Sequence, residues 1–145
     1  MEFLLIVGVI GAVVWWFRRD AQAGQSSGAS SGGVALARLG GTGDYDFAIV
    51  GESKYQPALK RIAGKGEVRH KCTARIYLED SNPYDAKAVR VDIDGDTVGY
   101  FSREDAQAYR KQVAMHGRVI GECGAMIVGG GKGRSLGVWL DLPVA

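Results

Sequence analysis

The pattern of apolar and polar positions divides the chain into an apolar start, a glycine- and serine-rich stretch and a longer alternating part. Residues 3–17 are an unbroken run of apolar residues and glycine. As a helix this run would be roughly 22 Å long, and its terminal aromatic residues, followed by two arginines, suit a membrane interface. The pattern predicts a transmembrane anchor over residues 1–19, which contacts the membrane through residues 3–17 and leaves the remaining chain in the cytoplasm.

A cleaved signal peptide is the alternative for this segment. Ala21-Gln22-Ala23 has the small-x-small form of a cleavage site, and cleavage would leave a secreted or periplasmic protein. Before the apolar run, however, the chain carries Glu2 and no basic residue, whereas Arg18 and Arg19 follow the run. Because cytoplasmic flanks of membrane segments are rich in Lys and Arg, we favour the uncleaved anchor.

The next segment is dominated by small residues. Of the 20 residues from 24 to 43, 11 are Gly or Ser. Such a composition is typical of a flexible chain, so residues 20–43 are predicted to be a linker. The short apolar island at residues 34–36 has no assigned place in this interpretation. The folded domain is then expected to occupy residues 44–145.

Periodicity within this domain predicts six strands and two helices. The first helix begins near Pro57 and ends at Gly64, after Ser53–Tyr55 in a loop. The second is capped by Ser102 and buries Ala106, Tyr109 and Val113. The predicted strands cover residues 45–50, 70–79, 88–93, 97–101, 118–128 and 136–142. Their order indicates a mainly β fold with two helices, a small OB-like or modified β-barrel of about six strands.

Charge narrows the classes of function. A formal net charge of +2 excludes a uniformly basic nucleic-acid binder and an acidic tail protein. The charge is unevenly spread. Residues 52–75 include seven basic and two acidic residues, residues 76–105 include three basic and eight acidic residues, and residues 106–145 include five basic and two acidic residues. One fold could therefore present a basic groove beside an acidic wall, and the alternative is a set of ordinary solvated faces.

Motifs for catalysis are incomplete. The glycine-rich segment 131–133 lacks the Ser or Thr of a P-loop, and the alternating aspartates of 92–96 lack the glycine and glutamate of a calcium loop. His70 and His116 have no partner at metal-binding spacing, and the two cysteines are expected to be reduced, part-buried thiols. We therefore expect no enzyme activity, no metal and no cofactor.

Several ordered motifs resemble one known family, the HIRAN domains, over residues 47–143. The motifs are Val50-Gly51-Glu52-Ser53-x-Tyr55-Gln56, Asn82-Pro83-Tyr84-Asp85-x-x-Ala88-Val89-x-Val91, Gly95-x-x-Val98-Gly99-Tyr100, Ala106-x-x-Tyr109 and Gly137-x-x-Leu140-Asp141-Leu142-Pro143. This family is found fused to helicases and RING fingers in eukaryotes and as small stand-alone proteins in bacteria. The resemblance implies a modified OB-like barrel with two helices.

The resemblance also implies a function. A helicase-fused member recognises the 3′-hydroxyl end of single-stranded DNA, and the motif carries its end-binding Tyr and Asp onto Tyr84 and Asp85. This chain departs from that member in having Ser53 and Lys54 in place of an Arg-aromatic pair, and Tyr100 in place of a histidine. The positively charged tip of the last hairpin is a further candidate for phosphate contact.

Together these features predict a membrane-tethered module that binds single-stranded nucleic acid, preferably DNA and preferably at an end. The predicted binding residues are Lys54, Tyr55, Arg61, Tyr84, Asp85, Tyr100, Lys132 and Arg134. Two alternatives stay open. The same groove could recruit a protein partner to the cytoplasmic membrane face, and Asn82–Asp85 could be a simple tight turn in which Asp85 caps backbone amides and Tyr84 packs on the barrel.

Overall fold

A computed structural model describes residues 35–115 and 119–142 of the chain. Within them lie seven strands, a 3₁₀-helix at Glu52–Tyr55 and two α-helices, α1 (Gln56–Ala63) and α2 (Arg103–Ala114). The strands are β1 (Ala35–Arg38), β2 (Phe47–Ala48), β3 (Val68–Glu79), β4 (Ala88–Ile93), β5 (Asp96–Tyr100), β6 (Val119–Gly129) and β7 (Leu136–Leu140). The predicted anchor, the first part of the predicted linker and His116 lie outside the described residues.

All seven strands belong to one curled sheet. Its order is β2-β7-β6-β3-β4-β5, with antiparallel neighbours, and β1 pairs in parallel with β6. The two edges meet where Val50 and Tyr100 exchange backbone hydrogen bonds, with N···O distances of 2.8 and 2.9 Å. Gly99 allows this approach, because a Cβ there would collide with the Ile49 side chain and the Val50 carbonyl. The predicted fold class is confirmed: a mainly β, OB-like, partly closed barrel with two helices.

The core lies inside the curl, where alternate strand residues meet. Ile76, Val91, Ile127 and Leu140 are at most 1% exposed. The α2 helix packs on this core through Tyr109, whose ring meets Phe101 edge-on at 5.3 Å. The predicted Ser102 cap is confirmed, since its Oγ accepts a hydrogen bond from the Asp105 amide at 3.2 Å.

The sheet begins earlier in the chain than the sequence predicts. Ala35–Arg38 pair with β6, Leu39 is 6% exposed, and the Leu39 amide donates to the Glu122 carbonyl at 2.7 Å. The predicted boundary at residue 44 is therefore wrong, because these residues form a strand of the sheet rather than a linker.

Two local predictions also need correction. The strand predicted over residues 45–50 is reduced to Phe47–Ala48, because Tyr45 has a left-handed φ of 53° and Val50 pairs with β5 instead of β7. Ser53–Tyr55, predicted as a loop, belong to the 3₁₀-helix.

Within residues 35–115 and 119–142, no helix is long and apolar enough to span a membrane.

Candidate functional site

The seam of the barrel carries an open pocket of about 400 Å³. We call it the tyrosine pocket. Five of the eight predicted binding residues line it, namely Lys54, Tyr55, Tyr84, Asp85 and Tyr100. They come from the 3₁₀-helix, from the turn before β4 and from the end of β5. The structure thus brings together residues that are up to 46 positions apart in the chain.

The 3₁₀-helix forms one wall. It begins after Gly51, whose φ of 83° lets the chain turn away from the seam, and the Lys54 amide donates to the Gly51 carbonyl at 3.2 Å. This turn brings the Tyr55 ring to 6.4 Å from the Tyr100 ring, centroid to centroid, at 45°. The pocket therefore has a pair of tilted aromatic rings beside one ammonium group.

The turn before β4 forms the opposite wall. Asn82 Oδ1 accepts hydrogen bonds from the amides of Tyr84 and Asp85, at 2.8 and 3.1 Å, and Asp85 Oδ1 accepts one from the Lys87 amide at 2.9 Å. From α2, Arg110 donates to the carbonyls of Lys87 and Ala88, which anchors the turn to the helix. The prediction that Asp85 caps backbone amides is therefore confirmed.

Tyr84 does not pack on the barrel. Its side chain is 92% exposed at the rim of the pocket, on a turn whose shape is fixed by the two hydrogen bonds from backbone amides to Asn82. The alternative in which Tyr84 is a packing residue is wrong. An exposed ring on a fixed turn is available to stack on a planar ligand.

A carboxylate that the sequence analysis did not single out lies in the same pocket. Glu79, at the end of β3, lines it, and its Oε2 is buried with no hydrogen-bond partner among the described residues. Arg90 forms a long ion pair with Glu79, with an Nη1···Oε2 distance of 3.9 Å. In the sequence Glu79 is only the last residue of a strand, so no local signal marks it.

Burial raises the pKa of the Tyr100 phenol well above its usual value, and hydrogen bonding with Glu79 and Tyr55 raises that pKa further. The phenol therefore keeps its proton at neutral pH and acts as a hydrogen-bond donor. Among the side chains that line the pocket, Lys54 is the only cation and Glu79 and Asp85 carry carboxyl groups, so acceptors for a hydroxyl group outnumber cations that could bind a phosphate.

The other three predicted residues lie elsewhere. Arg61 forms an ion pair with Asp96, with an N···O distance of 2.7 Å. Lys132 and Arg134 line a second hollow of about 410 Å³, together with Lys60 and Lys65. We call this hollow the basic cleft. The single groove expected from the sequence is thus two separate hollows, and Arg61 lines neither.

Neither the cysteines nor the acidic residues form a reactive or metal-binding centre in the part of the chain that is described. No three His, Cys, Asp or Glu side chains there are grouped closely enough to hold a metal ion. Burial, followed by nearby carboxylates, raises the pKa of Cys72 to about 11 and that of Cys123 to about 12. Both cysteines are therefore thiols at neutral pH, which makes them poor nucleophiles.

Comparison with known proteins adds no relative. No protein-family model, curated protein or solved structure matches the chain. The resemblance to HIRAN domains therefore rests on the sequence motifs.

Proposed function

We propose that the protein is a membrane-tethered, HIRAN-like module that binds the 3′-hydroxyl end of single-stranded nucleic acid, DNA in the first place, in the tyrosine pocket. The observation that supports this function best is the exposed Tyr84 ring beside a pocket with two further tyrosines and two carboxylates. The motif resemblance points to the same residues. Membrane attachment rests on the apolar run of residues 3–17 alone.

Each wall of the pocket has a role in this proposal. Tyr84 stacks on the terminal base, a contact that contributes about 1–3 kcal/mol without sequence preference. Asp85 accepts the hydrogen bond of the 3′-hydroxyl, and Lys54 neutralises the phosphate that precedes the terminal nucleotide. A 3′-phosphate would bring a second negative group towards Asp85 and Glu79, and the resulting repulsion would weaken binding.

Fluorescence anisotropy with the full chain in a non-ionic detergent tests the proposal. The ligands are 5′-labelled oligothymidylates of equal length that end in a 3′-hydroxyl or a 3′-phosphate. Asp85→Asn keeps an oxygen for the Lys87 amide and removes the charge. Because a hydrogen bond to a charged group is worth about 1.5–3 kcal/mol, we expect the preference for the hydroxyl end to fall roughly 10- to 100-fold.

Asp46→Asn is the matched control, since Asp46 is exposed and lies outside the pocket. It should retain the preference for the hydroxyl end. Equal binding of the two ends by the unmodified chain would overturn the proposal. Absence of binding to either oligonucleotide would favour the alternative function, recruitment of a protein partner at the membrane through the same pocket.

A further inference from the structure

The basic cleft is the second large hollow of the domain, and it is built differently from the tyrosine pocket. Its cationic lining residues are Lys60, Lys65, Lys132 and Arg134, and no carboxylate lines it. None of these four side chains forms an ion pair within residues 35–115 and 119–142, whereas Arg38, Arg61, Arg75, Arg90 and Arg110 all do. Four like charges around one hollow repel each other, and a bound polyanion would relieve that repulsion.

One side of the basic cleft is formed by the glycine-rich turn that carries Lys132. Residues 129–133, from the last residue of β6 into the turn before β7, all have positive φ, including Lys132 at 46°. Gly130 lies so close to the loop before β3 that a Cβ there would collide with the Gly66 carbonyl. Within the turn, the Arg134 amide donates to the Gly131 carbonyl at 2.9 Å. Four of these five residues are glycines, so few side chains obstruct the approach of an anionic group to this part of the cleft.

The 3₁₀-helix lines the tyrosine pocket and α1, which follows it directly, lines the basic cleft; we call this continuous segment the shared wall. Gln56, Lys60 and Gly64 line the basic cleft at spacings of four residues, so they follow one face along the length of α1, about 12 Å. Tyr55, the residue before Gln56, lines the tyrosine pocket. The basic cleft therefore starts at the end of α1 that adjoins the tyrosine pocket and continues along the helix.

From this arrangement we infer that the basic cleft binds the phosphodiester backbone of the same strand, 5′ to the nucleotide held in the tyrosine pocket. This inference rests on the proposed function and adds a second subsite to it. The terminal nucleotide is recognised in a pocket with an excess of carboxylates, and the preceding phosphates lie along Lys60, Lys65 and Lys132. Affinity and its salt dependence then come mainly from the cleft, and end preference comes from the pocket.

Oligonucleotide length separates the two subsites. Anisotropy is measured with the full chain and 5′-labelled oligothymidylates of two and eight nucleotides, each with a 3′-hydroxyl, at 50 and 200 mM NaCl. For the octanucleotide, Lys60→Gln and Lys132→Gln should each weaken binding about two- to fivefold and lower the salt slope by about 0.7. Binding of the dinucleotide should not change. Lys111→Gln removes the same charge from exposed α2 and is the matched control.

Each outcome supports or overturns a defined statement. If Lys60→Gln and Lys132→Gln match Lys111→Gln with the octanucleotide, the inference is overturned, while Asp85-dependent binding of the dinucleotide would still support the proposed function. If the cleft variants weaken octanucleotide binding but oligonucleotides with a 3′-hydroxyl and a 3′-phosphate bind equally well, backbone binding by the cleft is supported and the end-binding function is overturned. Cleft-dependent binding to phosphatidylglycerol vesicles without oligonucleotide binding would overturn both.

Discussion

Gln56 is the residue whose substitution tests the shared wall most directly. Its amide group makes three hydrogen bonds: Nε2 donates to the carbonyls of Glu52 (3.0 Å) and Leu136 (2.8 Å), and Oε1 accepts from the Leu136 amide at 2.9 Å. Gln56 thus pairs with β7 as a neighbouring strand would, and it fixes α1 and the 3₁₀-helix on the sheet. Both hollows depend on this attachment, because each takes residues from one side of it.

The magnitude follows from these three bonds. Each contributes about 0.5–1.5 kcal/mol net, and Leu136 is 3% exposed, so its backbone groups do not regain full hydration when the partner is removed. We expect Gln56→Ala to lower the free energy of unfolding by about 2–3 kcal/mol. At about 4–8 °C per kcal/mol, the melting temperature should fall by roughly 10 °C or more.

Thermal unfolding followed by circular dichroism, together with hydrogen exchange of the β7 segment, measures the effect. Gln107→Ala, at an exposed position of α2, is the control and should change stability by less than about 0.5 kcal/mol. Gln56→Glu is a sharper variant, since it keeps the acceptor for the Leu136 amide but faces a carboxylate oxygen towards two carbonyls. At pH 7 its free energy of unfolding should be no higher than that of Gln56→Ala. At acidic pH, where the carboxylate is protonated, the difference in free energy of unfolding from the unmodified chain should become smaller.

An unchanged melting temperature in Gln56→Ala would refute this reasoning. It would mean that α1 is held by the apolar packing of Leu59 and Ile62 and by the Arg61–Asp96 ion pair, and that the amide bonds to Leu136 exchange freely with water. The shared wall would then not be a rigid connection between the two hollows.

Two further predictions concern the core. Leu39→Ala should lower the free energy of unfolding by about 2–5 kcal/mol, because Leu39, just after β1, is buried. Leu36→Ala, at a residue that is 48% exposed, should lower it far less. Urea unfolding curves of the two variants test whether β1 belongs to the folded domain. The free energy of unfolding should also fall at alkaline pH. In the folded chain the pKa of Cys72 is raised to about 11 and that of Cys123 to about 12, from the usual 9.0. The unfolded chain therefore loses these protons first, so the loss of stability begins near pH 9 and is absent below it. Melting temperatures from pH 7.5 to 10.5 should decline less in the Cys72→Ala/Cys123→Ala variant than in the unmodified chain, and equal declines would contradict the cause.

The features that were predictable from the sequence are those with a local physical signal. Asp94 and Gly95 take φ values of 52° and 82°, as expected of a two-residue hairpin turn, and Ser102 caps its helix through a contact three residues away. β1 has no such signal. Its parallel pairing joins Ala35 to Val119, and a four-residue strand within a glycine-rich stretch gives no periodicity that would reveal a partner so far along the chain.

The five predicted residues that line the tyrosine pocket could be identified from the sequence because they belong to motifs that resemble one family in the same order along the chain. The residues of the tyrosine pocket lie at the ends of strands, in turns next to them or in the 3₁₀-helix that follows β2, and the seam between Val50 and Tyr100 brings these elements together. Counts of charge along the chain could not place the cations. Arg61 belongs to the most basic segment, but its charge is paired with Asp96, 35 residues away.

Counts of basic residues along the chain do not locate the unpaired cations, because some basic residues form ion pairs and others do not. In the described part of the chain every ion pair uses an arginine, whose planar group binds a carboxylate in a fixed geometry, as Arg90 does with Asp92 at 2.9 and 3.2 Å. These charges stabilise the surface of the barrel and are not available to a ligand. The cations without such partners include Lys60, Lys65 and Lys132, and all three line the basic cleft. A modest net charge of +2 is therefore compatible with a local, unpaired positive field, because carboxylates pair with five arginines of the described chain and leave the cations of the cleft, Arg134 among them, exposed to a polyanion.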